Sequence, residues 1–322
     1  MAVYTEISDE DLRTFVSEYS IGEVTSYKGI AEGVENSNYL LKTTCGDFIL
    51  TLYEKRVDPT DLPFFISLMD FLAEQKFPAP IPIHDKNGVA LNQLSGKPAA
   101  ICTFLDGMWP KVITPEHCKQ LGKTAAKLHI ATRHFSLSRK NSLSLEGWSN
   151  LAEATLSRAD EIQPQLANAI ERELQYLNDT WPVDLPAGII HADMFPDNVF
   201  FKNGQISGLI DFYFACQDTL AYDLAICINA WCFDIDCNYR PDCGAALIDG
   251  YNAERTLSHK EIQALPILCR GASIRFLLTR LYDFLNQIPG ALVKPKNPLD
   301  YFLRLSFHQK ITKTEQYRRL YQ

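Results

Sequence analysis

Ile189-Ile190-His191-Ala192-Asp193-Met194-Phe195-Pro196-Asp197-Asn198-Val199-Phe200-Phe201 sets a histidine, two aspartates and an asparagine between two apolar runs. The flanks ask for burial, whereas the proline-bearing middle must stay polar. Short strands on either side of a loop meet both demands. Downstream, Asn203-Gly204 has the residue types of a two-residue hairpin turn, and the apolar run that follows leaves on an acid, Leu209-Ile210-Asp211-Phe212. The loop therefore sits at the mouth of a small β island.

Outward from this island the chain changes character. Ser8, with Asp11 three residues on and Leu12, Phe15 and Val16 behind it, reads as a capped helix start. Residues 24–53 alternate in branched and aromatic types and predict an antiparallel sheet with a hairpin near Thr44-Cys45-Gly46. Asp58-Pro59 opens a helix that must stop before Pro78 and Pro80, and two more strands flank Ser95-Gly96-Lys97. After Leu105 the pattern is helical: Thr114-Pro115-Glu116 caps one helix, and longer helical periods fill 146–180 and 259–288. The expectation is an α+β chain in two domains, a β-rich 1–105 and a helical 106–322.

The 322 residues, 46% hydrophobic, are enough to bury a core without staples. An excess of 39 acidic over 31 basic residues, net charge −8, argues against nucleic acid or anionic lipid as partners. The N-terminal Met1-Ala2-Val3-Tyr4-Thr5-Glu6 stretch lacks a basic segment and an apolar core, and the expected location is the cytoplasm, with no membrane segment. Nine cysteines show no C-x-x-C pairing and read as small buried side chains rather than a metal site. Asn178-Asp179-Thr180 matches a glycosylation acceptor, a match that means little without a secretion signal.

His191-x-Asp193, Asn198 five residues later and Asp211 beyond a hairpin form a spaced set. Phosphoryl transfer asks for an aspartate that orients a hydroxyl and takes its proton, and for oxygen ligands to magnesium on the phosphates. Asp193 suits the first role, Asn198 and Asp211 the second. His-Ala-Asp-Met-Phe-Pro-Asp-Asn followed by Leu-Ile-Asp-Phe resembles the H-G-D-x-x-x-x-N and I-D-[FW] signatures of the aminoglycoside phosphotransferase-like kinases, distant relatives of protein kinases. Further segments, 29–41, 50–56, 208–216, 221–225 and 229–233, are similar to the homoserine kinases of that superfamily. The resemblance spans about residues 20 to 310. It implies a two-lobed protein-kinase-like fold with a small antiparallel β-sheet N-lobe and a larger, mostly helical C-lobe. It also implies ATP and Mg2+ as cofactors, and ATP-dependent phosphorylation of homoserine, a step of threonine synthesis. His191 then braces the loop, Asp223 in Ala-Tyr-Asp-Leu-Ala orders it by hydrogen bonds, and Asp197 is a solvated charge.

The nucleotide end is read less directly. Gly29 to Asn38, with Gly33, Asn36 and Ser37, is either a phosphate-covering loop or an ordinary hairpin, and position in the family favours the former. Phe104 and Leu105 stand where a hinge would offer backbone groups to adenine. The lysine usual on the strand after the glycine loop is replaced by Thr51, with Lys42, Lys55 or Arg56 as substitutes, and Asp61 or Glu74 as the acidic partner on the helix. Leu121-Gly122-Lys123-Thr124 mimics the end of a P-loop but lies inside a helix and lacks the first glycine. For the substrate, Arg275 among Arg270, Arg280 and Asp283 is the candidate carboxylate grip, with Trp231 and Asp234 as further pocket residues. Two rival readings remain at this stage: another small hydroxylated substrate such as an aminoglycoside, choline or methylthioribose, and a nucleotide-binding pseudokinase. Oligomeric state is not encoded in these motifs.

Overall fold

The structure, a computed structural model, describes residues 5–30, 36–54, 58–287 and 295–318. Gly33, Lys55 and Arg56 lie outside the described residues. The described chain divides into two compact units, one built from residues 5–107 with Ser207–Tyr213, the other from Met108–Ile206 with residues 214–287 and 295–318.

The first unit begins with helix α1 (Asp9–Ser17), started as the sequence predicts by Ser8, whose Oγ accepts from the Asp11 N–H at 3.1 Å. Strands β1 (Val24–Gly29), β2 (Asn36–Thr43) and β3 (Gly46–Tyr53) follow, then helix α2 (Leu62–Glu74) and strands β4 (Pro82–Ile83), β5 (Leu91–Leu94) and β6 (Lys97–Thr103). They form one antiparallel sheet in the order β1-β2-β3-β6-β4, with β5 also on β6. Alternation gives this sheet two different faces. Leu12, Phe15 and Val16 of α1 share one core with Tyr39, Leu41, Leu50, Leu52, Ala99 and Ile101. Side chains of opposite parity, Ile49, Thr51 and Tyr53, take the other face, where Tyr53 and Phe65 each meet Tyr213 edge-on at 5.3 and 5.6 Å between ring centroids.

The second unit carries helices α3 (Pro115–Ala131), α4 (Leu145–Ala159) and α5 (Leu166–Thr180). Strand β7 (Ala187–Ile190), β8 (Val199–Lys202), β9 (Gln205–Leu209) and β10 (Cys216–Thr219) come next, β9 running on into the first unit at Ser207. Helices α6 (Leu220–Trp231), α7 (Pro241–Glu254), α8 (His259–Leu285) and α9 (Leu299–His308) close the chain. Instead of one three-stranded island there are two separate pairs: β7 with β10 in antiparallel register, and the hairpin β8-β9. The hairpin turn is the expected one, with φ of 52° at Asn203 and 74° at Gly204.

All twelve residues of α6 are buried, which a helix apolar on every side requires. Thr114 and Ser258 cap α3 and α8 through capping boxes. The segment that mimics a P-loop is inside α3, and Gly122 has a packing task there: a methyl group on it would lie 2.1 Å from the Leu247 carbonyl oxygen of α7. By length and composition α8 is apolar enough to cross a bilayer, but 72% of its most apolar window is buried inside the protein, as befits a core helix.

Candidate active site

The loop after β7 is fixed by side chains that reach its backbone. Asp223, fully buried on α6, accepts from the His191 N–H at 2.9 Å and the Ala192 N–H at 2.8 Å. Arg275 on α8 donates to the Ala192 carbonyl at 2.7 Å, and the Trp231 indole donates to the Met194 carbonyl at 2.7 Å. Ala192 is thereby held at φ +63°, a left-handed conformation that costs a residue with a Cβ about 1 kcal/mol. The signature of the family has glycine at this position. Burial pushes the Asp223 carboxyl up, but the hydrogen bond from His129, the charges of His129 and His191 and the loop N–H outweigh it, and the group rests below the ordinary carboxylate range. His129, on α3, bonds Asp223 through Nε2 at 3.1 Å and the Tyr251 hydroxyl through Nδ1 at 2.8 Å.

Within the loop, His191 is fully buried and its Nδ1 accepts from the Asp193 N–H at 3.2 Å. That geometry is a brace, and it puts the proton of a neutral ring on Nε2. Asn198 donates through Nδ2 to both the backbone carbonyl and Oδ2 of Asp193, each at 2.9 Å. A 3-10 turn, Pro196–Asn198, brings the amide back to the aspartate. The amide nitrogen is spent on Asp193, so Asn198 presents its oxygen, the atom a hard cation takes. Asp197 is exposed, 3.3 Å from Lys296 across a solvated pair.

Asp211 belongs to the first unit and follows β9 with φ +65°, a second strained position among the signature residues. Leu209 ties this segment to Pro78 by a backbone bond of 2.9 Å, and Gly208 lies directly under Leu105. Phe104 is 42% exposed. Thr51, where the family often has lysine, donates to Asn38 Oδ1 at 2.8 Å, and Lys42 is occupied by Asp47 at 3.5 Å in an exposed pair. Glu74 is exposed at the end of α2 and Asp61 stands at its start.

Three expectations change. Ser37 has the parity of the α1 face, opposite to Asn36, Asn38 and Thr51. Its hydroxyl, fully buried, donates to Glu54 at 2.8 Å beside the 2.6 Å Lys97–Glu54 pair, so it cannot face a nucleotide on the Thr51 side. Asn36 is buried and accepts from the Glu54 N–H at 3.3 Å. Arg275, 1% exposed, and Trp231, fully buried, stand behind the loop rather than lining a cavity. Asp234 spends its carboxylate on the Asp236 and Asn238 N–H groups and the Asn238 amide, closing a surface turn. The residue that sequence reasoning passed over is His129, a lone histidine on a helix face that carries no motif.

The chain matches the phosphotransferase enzyme family over residues 26–257. It is 54% identical to a homoserine kinase of Chelativorans sp. (strain BNC1) over 317 residues, covering 98% of each chain. It is 53% identical to that of Rhizobium etli (strain CIAT 652), covering 98% of this chain and 99% of the other. Among solved structures it resembles an amicoumacin kinase in complex with AMP-PNP, Ca2+ and Ami (TM-score 0.73, 14% identity, 96% of this chain and 97% of that one). It also resembles a choline kinase from Cryptosporidium parvum Iowa II (TM-score 0.68, 15% identity, 96% of each), and at such identities the likeness speaks for the protein-kinase-like fold alone. On profile, length and identity together, the chain belongs to the phosphotransferase enzyme family, in the branch formed by these homoserine kinases.

Proposed function

We propose that this protein transfers the terminal phosphoryl group of ATP to the side-chain hydroxyl of L-homoserine, giving O-phospho-L-homoserine for threonine synthesis. The observation that carries this reading is identity above one half with homoserine kinases over 98% of the chain. The rigid Asp193-Asn198 pair is the chemistry that such a reaction needs.

Asp193 orients the substrate hydroxyl and accepts its proton as the bond to phosphorus forms. Its position is set twice, by the Asn198 amide on its carboxylate and by the His191 ring on its N–H, so little reorganisation is needed when substrate binds. Magnesium, when bound, offsets the charge on the phosphates, and the Asn198 amide oxygen and the Asp211 carboxylate are the hard oxygens that would hold it. Phe104 and Leu105 supply backbone groups and apolar surface to adenine. Arg275, Trp231 and Asp223 hold the loop that presents Asp193. The chain works as an enzyme on a small molecule.

The test is Asp193→Asn, which keeps the shape and removes the base. Turnover of homoserine is expected to fall about 1,000-fold at an unchanged melting temperature. Turnover within a few-fold of wild type would remove Asp193 from this role.

A further inference from the structure

Most arginines of the second unit close on a carboxylate: Arg270 on Glu173 at 2.6 Å, Arg255 on Glu261 at 2.8 Å, Arg280 on Asp300 at 3.1 Å. Arg304 on α9 does not. It is half-buried and donates through Nη1 to the Asn229 carbonyl. Its guanidinium otherwise rests on the rings of Tyr301 at 4.7 Å and Phe233 at 5.3 Å. Two buried donors of this group, Arg304 Nε and the Tyr301 hydroxyl, have no hydrogen-bond partner among the described residues. A buried guanidinium N–H without an acceptor is costly, and carboxylate oxygens are the acceptors that would satisfy both this idle N–H and the charge it belongs to.

The group is also linked to the catalytic loop. Rings pass from the catalytic loop to this group, Phe195 to Phe276 at 4.8 Å and Phe276 to Tyr301 at 5.2 Å. The Tyr301 hydroxyl is raised first by burial, and it feels the charges of Arg304, Arg280, Asp193 and Arg275, which places Asp193 within electrostatic range. Arg275 is also without a carboxylate, but at 1% exposure it is sealed and committed to the Ala192 carbonyl.

We infer that Arg304, seated on Tyr301, grips the α-carboxylate of the amino-acid substrate and so selects hydroxy amino acids over plain amino alcohols. This rests on the homoserine reading above and names the residue that enforces it.

The experiment compares L-homoserine with 3-aminopropan-1-ol, which has the same hydroxyl and ammonium but no carboxylate, using wild type and Arg304→Met. Arg304→Met should raise KM for homoserine about 100-fold, with kcat and the KM for ATP little changed. It should leave turnover of, or inhibition by, 3-aminopropan-1-ol within about threefold, because uniform binding of a carboxylate is what has been removed. An unchanged KM, or an equal loss on both compounds, overturns the assignment. If Arg304→Met does not fold, wild-type protein treated with phenylglyoxal gives the answer: homoserine should protect Arg304 from modification and 3-aminopropan-1-ol should not, and equal labelling in both overturns it. Wild type that prefers another alcohol to homoserine sinks the functional reading instead; wild type that prefers homoserine while Arg304→Met keeps the wild-type KM for homoserine sinks only Arg304.

Discussion

At the scale of single residues the strain sits where the signature is. Ala192 and Asp211 both hold positive φ, and Ala192 stands where the family signature has glycine. Asp223 and Arg275 clamp the peptide groups on either side of Ala192, which is how a conformation that disfavours alanine persists. Ala192→Gly relieves the backbone and loses one buried methyl, so the melting temperature should stay within a few degrees of wild type and activity should be kept. Ala192→Val adds β-branching at a positive φ inside a closed site and should destabilise by about 2 kcal/mol or more, read by chemical denaturation. Equal stability of the two variants would mean that φ at this position carries no strain. Asp193 and Asn198 could be singled out in the sequence because phosphoryl transfer asks for those residue types at that spacing, and the structure joins them by a hydrogen bond. Arg275 and Trp231 were recognisable as polar groups in apolar helices, but whether such a group faces substrate or a loop backbone depends on its neighbours in space.

At the scale of elements, helix starts and the hairpin turn follow local chemistry and could be read directly: Ser8, Thr114 and Asn203-Gly204 all do what their residue types predict. Strand β10 could not be. Cys216-Gln217-Asp218-Thr219 has no alternation, and it is a strand because β7 lies beside it in register. The face of Ser37 was lost in the same way, since a strand slipped by one residue exchanges its two faces and only pairing sets the register. The pairing of α3 with α7 depends on two glycines: Gly122 abuts the Leu247 carbonyl, and a methyl on Gly250 would lie 2.1 Å from the Lys119 carbonyl. Gly122→Ala gains helix propensity but forces these backbones apart, and should cost about 2 kcal/mol net, a loss of several degrees in melting temperature. A variant as stable as wild type would show that α3 and α7 can separate without penalty.

At the scale of the whole molecule, the sequence predicted a β-rich front and a helical back, and the two compact units have those characters. The segment Ser207–Tyr213 belongs to the first unit although it lies far along the chain, because Leu209 bonds Pro78 and Gly208 lies under Leu105, pairings that no local pattern announces. The measurement that bears most directly on the central claim is product identification with wild-type protein, MgATP and a panel of alcohols: L-homoserine, L-serine, choline, methylthioribose and an aminoglycoside. L-homoserine should be converted stoichiometrically to O-phospho-L-homoserine with the highest kcat/KM of the panel. A higher kcat/KM for any other member, or ATP turnover with none of them, would contradict the account.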